Sequence, residues 1–471
     1  MKNLVFDKTA IRHGTSTFTV HRRVFVKYFI LFVQKMGGKR KIRKLPKIRS
    51  ENNYNNNYVR YGIDQNSRTP TFNGKPFELL EIDELVAAVK KNPDMIPAAR
   101  QMFIRKYASQ IICIDDQKDY DKNQWKIAEK NGAIFLQAFG SMITGLWINS
   151  STPYYKDIEQ NILNYCSKSL VVLEIIGCRK SALDTMTKPF TKLCILRIEN
   201  GYIRGKVGNF NTWFPKLRHL YLIQNKVSNP KLIQHHMPAL EHLTIEIGKT
   251  KKEFRPPNVE RFLYLNPQLV SLQLYFGHEI QDGDPEEEEE EEEDDYYNEP
   301  IPKVTSNVQK LSVHIKDSFC PRHIFAPNFH QLIEFELISS HELDIIDEII
   351  KFVFGNVNLK KLKLNMDYEL ELIDIYEMML KLARKLKFLT DVEINVGYLQ
   401  MHEVVHIIGM LPNLTKLRVR VQKDHRRNVF RKKLGQHWII ISSECDYNSF
   451  LDDLFHPFEE LTFQRKNLNK S

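Results

Sequence analysis

The sequence predicts an α/β repeat solenoid, in which short parallel strands alternate with helices along one direction. Three observations carry the prediction. An apolar triplet, Leu-x-x-Leu-x-Leu with Ile, Val or Phe substituting, keeps returning from residue 143 onward. A stricter form led by proline occurs at Pro215, Pro238, Pro267 and Pro412. Helix-like stretches, such as 345–354 and 373–386, fall between copies.

The triplets begin at Ile143, Leu170, Leu193, Leu217, Leu240, Leu269, Val308, Leu332, Leu359, Leu389 and Leu414, and a last copy at Phe458. That makes about 11–12 repeats over residues 135–465. Composition alone would give well below one match to the proline-led form, so the period is real. Alternate side chains of a strand share one side, so the leucines of a copy bury together. One strand–helix unit cannot bury its apolar side alone, and stacking the units completes the core.

With this period the chain resembles the leucine-rich repeat family. Cys178 and Asn225 stand where that family often carries Cys or Asn, and Gly201, Gly248, Gly277 and Gly397 stand there in other copies. The resemblance implies a horseshoe whose strands line the concave side.

Ahead of the array, residues 83–107 read as two helices. Asp83 is placed to cap the first, and Leu85, Val86 and Val89 share a face. Pro93 interrupts, and the second runs from Ile96 to Tyr107 with Pro97 at its start. The segments 83–92 and 98–107 resemble the second half of an F-box. That likeness implies docking on a Skp-type adaptor, with Leu85, Ala88, Phe103 and Tyr107 at the matching positions. Residues 66–76 depart from it, reading as a loop where the family has Leu-Pro and an apolar helix. A helical cap shielding the first repeat is the alternative reading of this 76–125 segment.

Charge is distributed unevenly. The net charge is +10, but residues 1–75 hold 17 basic against 3 acidic side chains, a net of +14, and the rest sum to −4. Residues 1–75 are therefore expected to form a disordered basic arm. Its basic run at 37–49 reads as a nuclear-import or nucleic-acid-contacting tail, or simply as a solvated one. Residues 279–302 hold a run of eight glutamates and read as an acidic insertion between two repeats. The tract 416–433 holds nine basic side chains against Asp424.

The six cysteines are far apart and none form Cys-x-x-Cys, which fits reduced thiols in the cytoplasm or nucleus. No stretch reads as a membrane span or a signal peptide.

One motif invites an enzymatic reading. His402-Glu-Val-Val-His406 matches the zinc-peptidase helix, with Glu403 as the base. The third histidine of its longer form would fall at Pro412, which instead opens a repeat. Residues 402–409 therefore read as a core helix, with Val404, Val405, Ile407 and Ile408 inward. No phosphate loop, dinucleotide fingerprint or nucleophile elbow is present, so neither an enzyme nor a cofactor is expected.

What remains is a surface. The outward positions of the strands include His219, Tyr221, His242 and Tyr275, then Lys361 and Lys363, Asp391 and Glu393, and Lys416, Arg418 and Arg420. Their signs alternate in blocks, which suits a protein partner better than nucleic acid. The expectation is a monomeric, non-catalytic binding protein. The two resemblances together imply the substrate-recruiting subunit of an SCF-type ubiquitin ligase. A repeat scaffold unconnected to ubiquitin is the alternative.

Overall fold

The computed structural model describes residues 71–115, 125–149, 155–177, 188–199, 202–203, 210–223, 226–227, 236–247, 257–276, 305–316, 322–325, 327–340, 346–366, 375–422, 434, 437–442 and 458–466. Residues 1–70 of the basic arm, the 279–302 insertion and residues 423–433 lie outside them, as do Cys178, Gly201, Asn225, Gly248 and Gly277.

One sheet of fifteen strands organises the described residues. Its strands are β1 (Ile111–Ile114), β2 (Trp125–Ile127), β3 (Gly145–Asn149), β4 (Val172–Ile176), β5 (Ile195–Glu199), β6 (His219–Ile223), β7 (His242–Ile247), β8 (Ser271–Phe276), β9 (Lys310–Ile315), β10 (Glu334–Ser339), β11 (Lys361–Met366), β12 (Asp391–Leu399), β13 (Lys416–Gln422), β14 (Trp438–Ser442) and β15 (Phe458–Arg465). Their spatial order is β2-β1-β3, then β4 to β13 in sequence, then β15-β14. Pairing is parallel from β2 to β13. A parallel sheet built by successive units, with crossovers between them, is the architecture of a solenoid-like repeat fold.

The triplets explain the register. The first apolar residue of each copy from Ile143 to Leu414 lies two positions before its strand, and each is at most 2% exposed. This residue anchors the turn in the core, so every strand enters the sheet at the same height. Consecutive strands then pair without slip, and His219, His242, Ser271, Lys310, Glu334, Lys361, Asp391 and Lys416 form one row. The register shifts only past Ile394, where Gly397 takes φ +59° against Ile375.

Side-chain amides stitch the turns together. Asn307 donates to the Pro267 carbonyl at 2.9 Å, Asn358 to His330 at 3.2 Å, and Asn413 to Lys387 at 2.8 Å. In all three the donor sits one residue before its own anchor and the acceptor two residues before the previous anchor. Each bond satisfies a turn carbonyl that no strand can reach.

Helices fill the crossovers. Helices α1 (Ile82–Lys91), α2 (Ile96–Lys106), α3 (Glu129–Phe139), α4 (Tyr155–Asn161), α5 (Pro257–Leu265), α6 (Ile346–Gly355), α7 (Ile375–Lys385) and α8 (Met401–Met410) follow in chain order. On α6, Ile349, Phe352 and Val353 face the core; on α7, Met378, Met379, Leu382 and Ala383 do.

Three expectations are corrected. The sheet starts at Ile111, inside the segment assigned to the helical module, rather than at residue 135. Helices α1 and α2 share one core with the array: Phe103 stacks on Phe139 at 4.9 Å and meets Phe135 edge-on at 5.8 Å. Burying a phenylalanine this way is worth roughly 2–3 kcal/mol. The cap of α1 is Glu81, not Asp83, because Glu84 reaches back to the Glu81 N–H at 3.0 Å and completes a capping box. Finally, Phe458 opens no further repeat, since β15 runs antiparallel to β13 and closes the array with β14.

Candidate partner-binding face

Strands β6 to β13 bury one set of side chains and turn the alternate set to the other side of the sheet. The buried set includes Leu220, Leu243, Leu272, Leu311, Phe335, Leu362, Val392 and Leu417. The other set forms two full rows. One is the His219-to-Lys416 row. The second holds Tyr221, Thr244, Gln273, Ser312, Glu336, Lys363, Glu393 and Arg418. All eleven outward residues expected from the sequence lie on this face. Five others, Lys310, Ser312, His314, Glu334 and Glu336, belong with them. The copies beginning at Val308 and Leu332 carry them, and the same period read through those copies would have found them.

The charges form stripes. Glu334 and Glu336 sit on β10, Lys361 and Lys363 on β11, Asp391 and Glu393 on β12, and Lys416, Arg418 and Arg420 on β13. Each strand carries one sign and its neighbour the other. Glu334 bridges Lys310 at 3.0 Å and Lys361 at 2.9 Å. Glu336 meets Lys363 at 3.1 Å, Lys363 meets Glu393 at 3.5 Å, and Arg418 spans Glu393 at 3.5 Å and Glu460. Asn395 also donates to Glu460 at 3.2 Å.

This pairing shifts the titrations. Burial works against the Glu336 carboxylate, but the His314 ring 3.8 Å away, the hydrogen bond from Ser312 and the charge of Lys363 outweigh it and bring its pKa down to about 2. Burial likewise opposes the Lys363 ammonium, and Glu336 and Glu393 raise its pKa regardless. A half-exposed pair contributes about 0–1 kcal/mol, so the ladder sets charge pattern more than stability.

A groove of about 310 Å³ runs over these strands. Its charged lining is Lys310, Lys361, Lys363 and Lys416 against Glu334, Glu336, Asp391 and Glu393. Toward β7 the face becomes polar and aromatic. Tyr275 stacks on His314 with ring centroids 4.4 Å apart. Gln273 donates to the Tyr275 hydroxyl at 2.6 Å, and Ser312 donates to Glu336 at 2.7 Å. Burial above all, with Glu336 and Glu246 nearby, raises the Tyr275 pKa, so its hydroxyl keeps its proton.

Further along, the face closes. Strands β3 and β5 are buried on both sides. There Arg197 sits between Glu174 at 3.2 Å and Glu199 at 2.8 Å, all three with side chains no more than 8% exposed. Burial opposes the guanidinium charge, but the two carboxylates raise its pKa overall.

The remaining candidates fall elsewhere. Leu85, Ala88, Phe103 and Tyr107 are at most 1% exposed. They hold the cap together, and Tyr107 donates to the Leu80 carbonyl at 3.3 Å. A docking surface on the cap cannot be made of them, because each is already packed inside it. Among the described residues of the cap, the large apolar side chains left exposed are Leu79 and Ile104, at 66% and 55%. On α8, Val404, Ile407 and Ile408 are buried and Val405 packs against the core, as a core helix requires. Glu403 reaches back to the Gln400 N–H at 2.7 Å and completes the capping box of its own helix. His406 pairs with the Tyr376 hydroxyl at 2.5 Å. Among the described residues no cluster of three His, Cys, Asp or Glu could hold a metal, and no helix is long and apolar enough to cross a membrane.

No protein-family model and no curated protein matches this chain. A solved structure of the yeast Rad7 and Elc1 complex is similar to it, with a TM-score of 0.38 at 16% identity over 71% of this chain and 81% of that one.

Proposed function

We propose that the chain is a non-catalytic, protein-binding repeat protein of the leucine-rich type, whose striped sheet face holds a protein partner. The observation that carries this reading is the groove over β8 to β13, where four lysines and four acids alternate by strand. A nucleic-acid surface needs an excess of positive charge along its whole track. A polypeptide of mixed charge meets such a mosaic, and misplaced charges reject other partners. The test is crosslinked capture from cells, comparing the natural protein with the Lys361→Glu/Lys363→Glu variant. A partner lost with the variant, while circular dichroism stays unchanged, supports the reading. A partner retained by this and every other charge reversal on the face ends it.

The finer reading makes this protein the substrate-recruiting subunit of an SCF-type ubiquitin ligase in the cytoplasm or nucleus. Its role is then proximity, holding substrate at high effective concentration beside the ligase. The F-box-like segment supports it, and the exposed Leu79 and Ile104 offer apolar contacts on the cap. Full-length protein should retain a Skp-type adaptor and lose it on Leu79→Glu/Ile104→Glu. No retention at all would leave the scaffold reading, with α1 and α2 serving as an end cap.

A further inference from the structure

Charge on the striped face repeats with the strands. Along one row, from Lys310 through Glu334, Lys361 and Asp391 to Lys416, the sign reverses at each successive strand from β9 to β13. Along the next row, Glu336, Lys363, Glu393 and Arg418 do the same. Each strand from β10 to β13 thus offers a doublet of one sign. The stripes stop in neutral residues on both sides, Ser271 and Gln273 on β8 and Gln464 and Thr462 on β15. The ion pairs between neighbouring strands hold these charges in place. They do not exhaust them, since an ammonium carries three donors and a carboxylate about four acceptor sites.

The period of the stripes selects a backbone. Strands lie about 4.8 Å apart, so β9 to β13 span about 19 Å. An α-helix laid across them advances about 5.4 Å per turn. Charges that change sign every three or four residues cover the same four steps in about 21 Å, a drift that long side chains absorb. An extended chain repeats on one side every ~6.7 Å, and its four steps cover about 27 Å. That error of about 8 Å exceeds one strand spacing and sets like charge on like. Lying along a strand instead, an extended chain meets one doublet flanked by the opposite sign on both sides.

We propose that the groove over β9 to β13 receives an α-helix lying across the strands, with a surface charge that reverses at every turn. Two adjacent charged residues on each turn match the doublet on each strand, acid over base and base over acid. A helix without this period meets repulsion as well as attraction, so the groove selects the period rather than the net charge. This rests on the reading of the striped face as a partner surface, and it names the partner's secondary structure and charge pattern.

The test uses the full chain and a fluorescein-labelled peptide, Ala-Glu-Glu-Ala-Lys-Lys-Ala-Ala-Glu-Glu-Ala-Lys-Lys-Ala-Ala-Glu-Glu-Ala, whose own Glu–Lys pairs favour the helix. Fluorescence polarisation is followed in about 0.1 M salt, where the Debye length of about 10 Å exceeds the strand spacing. One control gathers the glutamates in the first half and the lysines in the second. Another replaces the central alanines by proline, which breaks the helix and keeps the charges. Each should bind at least about tenfold more weakly. A peptide with every sign reversed should stay within about tenfold of the parent, because sliding by one turn restores all but one match. The Lys361→Glu/Lys363→Glu variant should lose about tenfold for the parent peptide, and a peptide with lysines for the central Glu-Glu should recover it. Equal binding of the block or proline peptide overturns the proposal. So does failure of the parent peptide, of the sign-reversed one, or of the recovery. If no peptide binds while that variant loses the cellular partner, this inference fails and the striped face stands. If the peptides behave as expected while the variant keeps the cellular partner, the groove takes helices and the partner sits elsewhere.

Discussion

His219 and His242 lie face to face across β6 and β7, with ring centroids 4.3 Å apart and planes 6° from parallel. Burial, with His242 and Arg218 beside it, takes the pKa of His219 down to about 3. Burial also lowers that of His242; Glu241 works against this shift, and Lys310 and Arg218 add to it. Both rings are therefore neutral at pH 7. An unfolded histidine titrates near 6.5. Between about 6.5 and 3 the unfolded chain takes up a proton that folded His219 refuses, so stability falls as the pH falls. The slope from this one site is at most about 1.4 kcal/mol per pH unit. His219→Asn should flatten the dependence of the urea midpoint on pH through that window. Parallel curves for the two proteins would assign the acid sensitivity to other groups.

Arg197 is a buried cation held between two buried carboxylates. Removing it takes from Glu174 and Glu199 the cation that both contact, in a site where neither meets water freely. Arg197→Met should cost about 3–5 kcal/mol in denaturant unfolding. Adding Glu174→Gln and Glu199→Gln to that variant should restore most of the loss, because amides tolerate burial where carboxylates do not. A triple variant no more stable than the single one would mean that the guanidinium acts through packing.

The stripes make a different prediction. Lys363→Glu places three acids side by side, at Glu336, the new residue and Glu393. These side chains are partly solvated, so the expected cost is roughly 1 kcal/mol, greater at low salt and reduced as salt screens it. Lys363→Met should cost less. Adding Glu336→Lys to Lys363→Glu should recover part of the loss by recreating an opposite-sign pair. A salt-independent loss would point to shape, not charge.

The turn amides should contribute individually. Asn413→Ala leaves the Lys387 carbonyl without its 2.8 Å donor and should lower stability by about 1 kcal/mol. Asn413→Gln, with one more methylene, should not rescue it. Hydrogen exchange should quicken at Leu389 and Leu414, the anchors on either side, ahead of the array as a whole.

The sequence announced the strands from Gly145 to Gln422 because each copy repeats one physical requirement, an anchor two residues ahead of an alternating strand. The rows of the face follow from the same alternation, which is why His219, Lys363 and Arg418 could be placed on it without coordinates. Strands β1 and β2 escaped because Ile111–Ile114 is a short apolar run with no period of its own. The same ambiguity hid β14: in Trp-Ile-Ile-Ile every position is apolar, so only pairing with β15 decides which two face outward. Phe458 misled because an antiparallel strand can wear the same triplet. For the cap, the apolar positions of the resemblance identified residues that bury, and burial is what removes them from any docking surface.

Alternation by strand also restricts how such a chain can change length over evolutionary time. Duplicating one unit between β10 and β13 would set two strands of like sign next to each other. Duplicating two keeps the sequence of signs intact. Homologues that differ in length within this stretch should therefore differ by an even number of units, or carry an uncharged strand at the point of insertion. Both ends of the array, closed by α1 and α2 on one side and by the antiparallel pair on the other, leave the interior as the place where such growth happens.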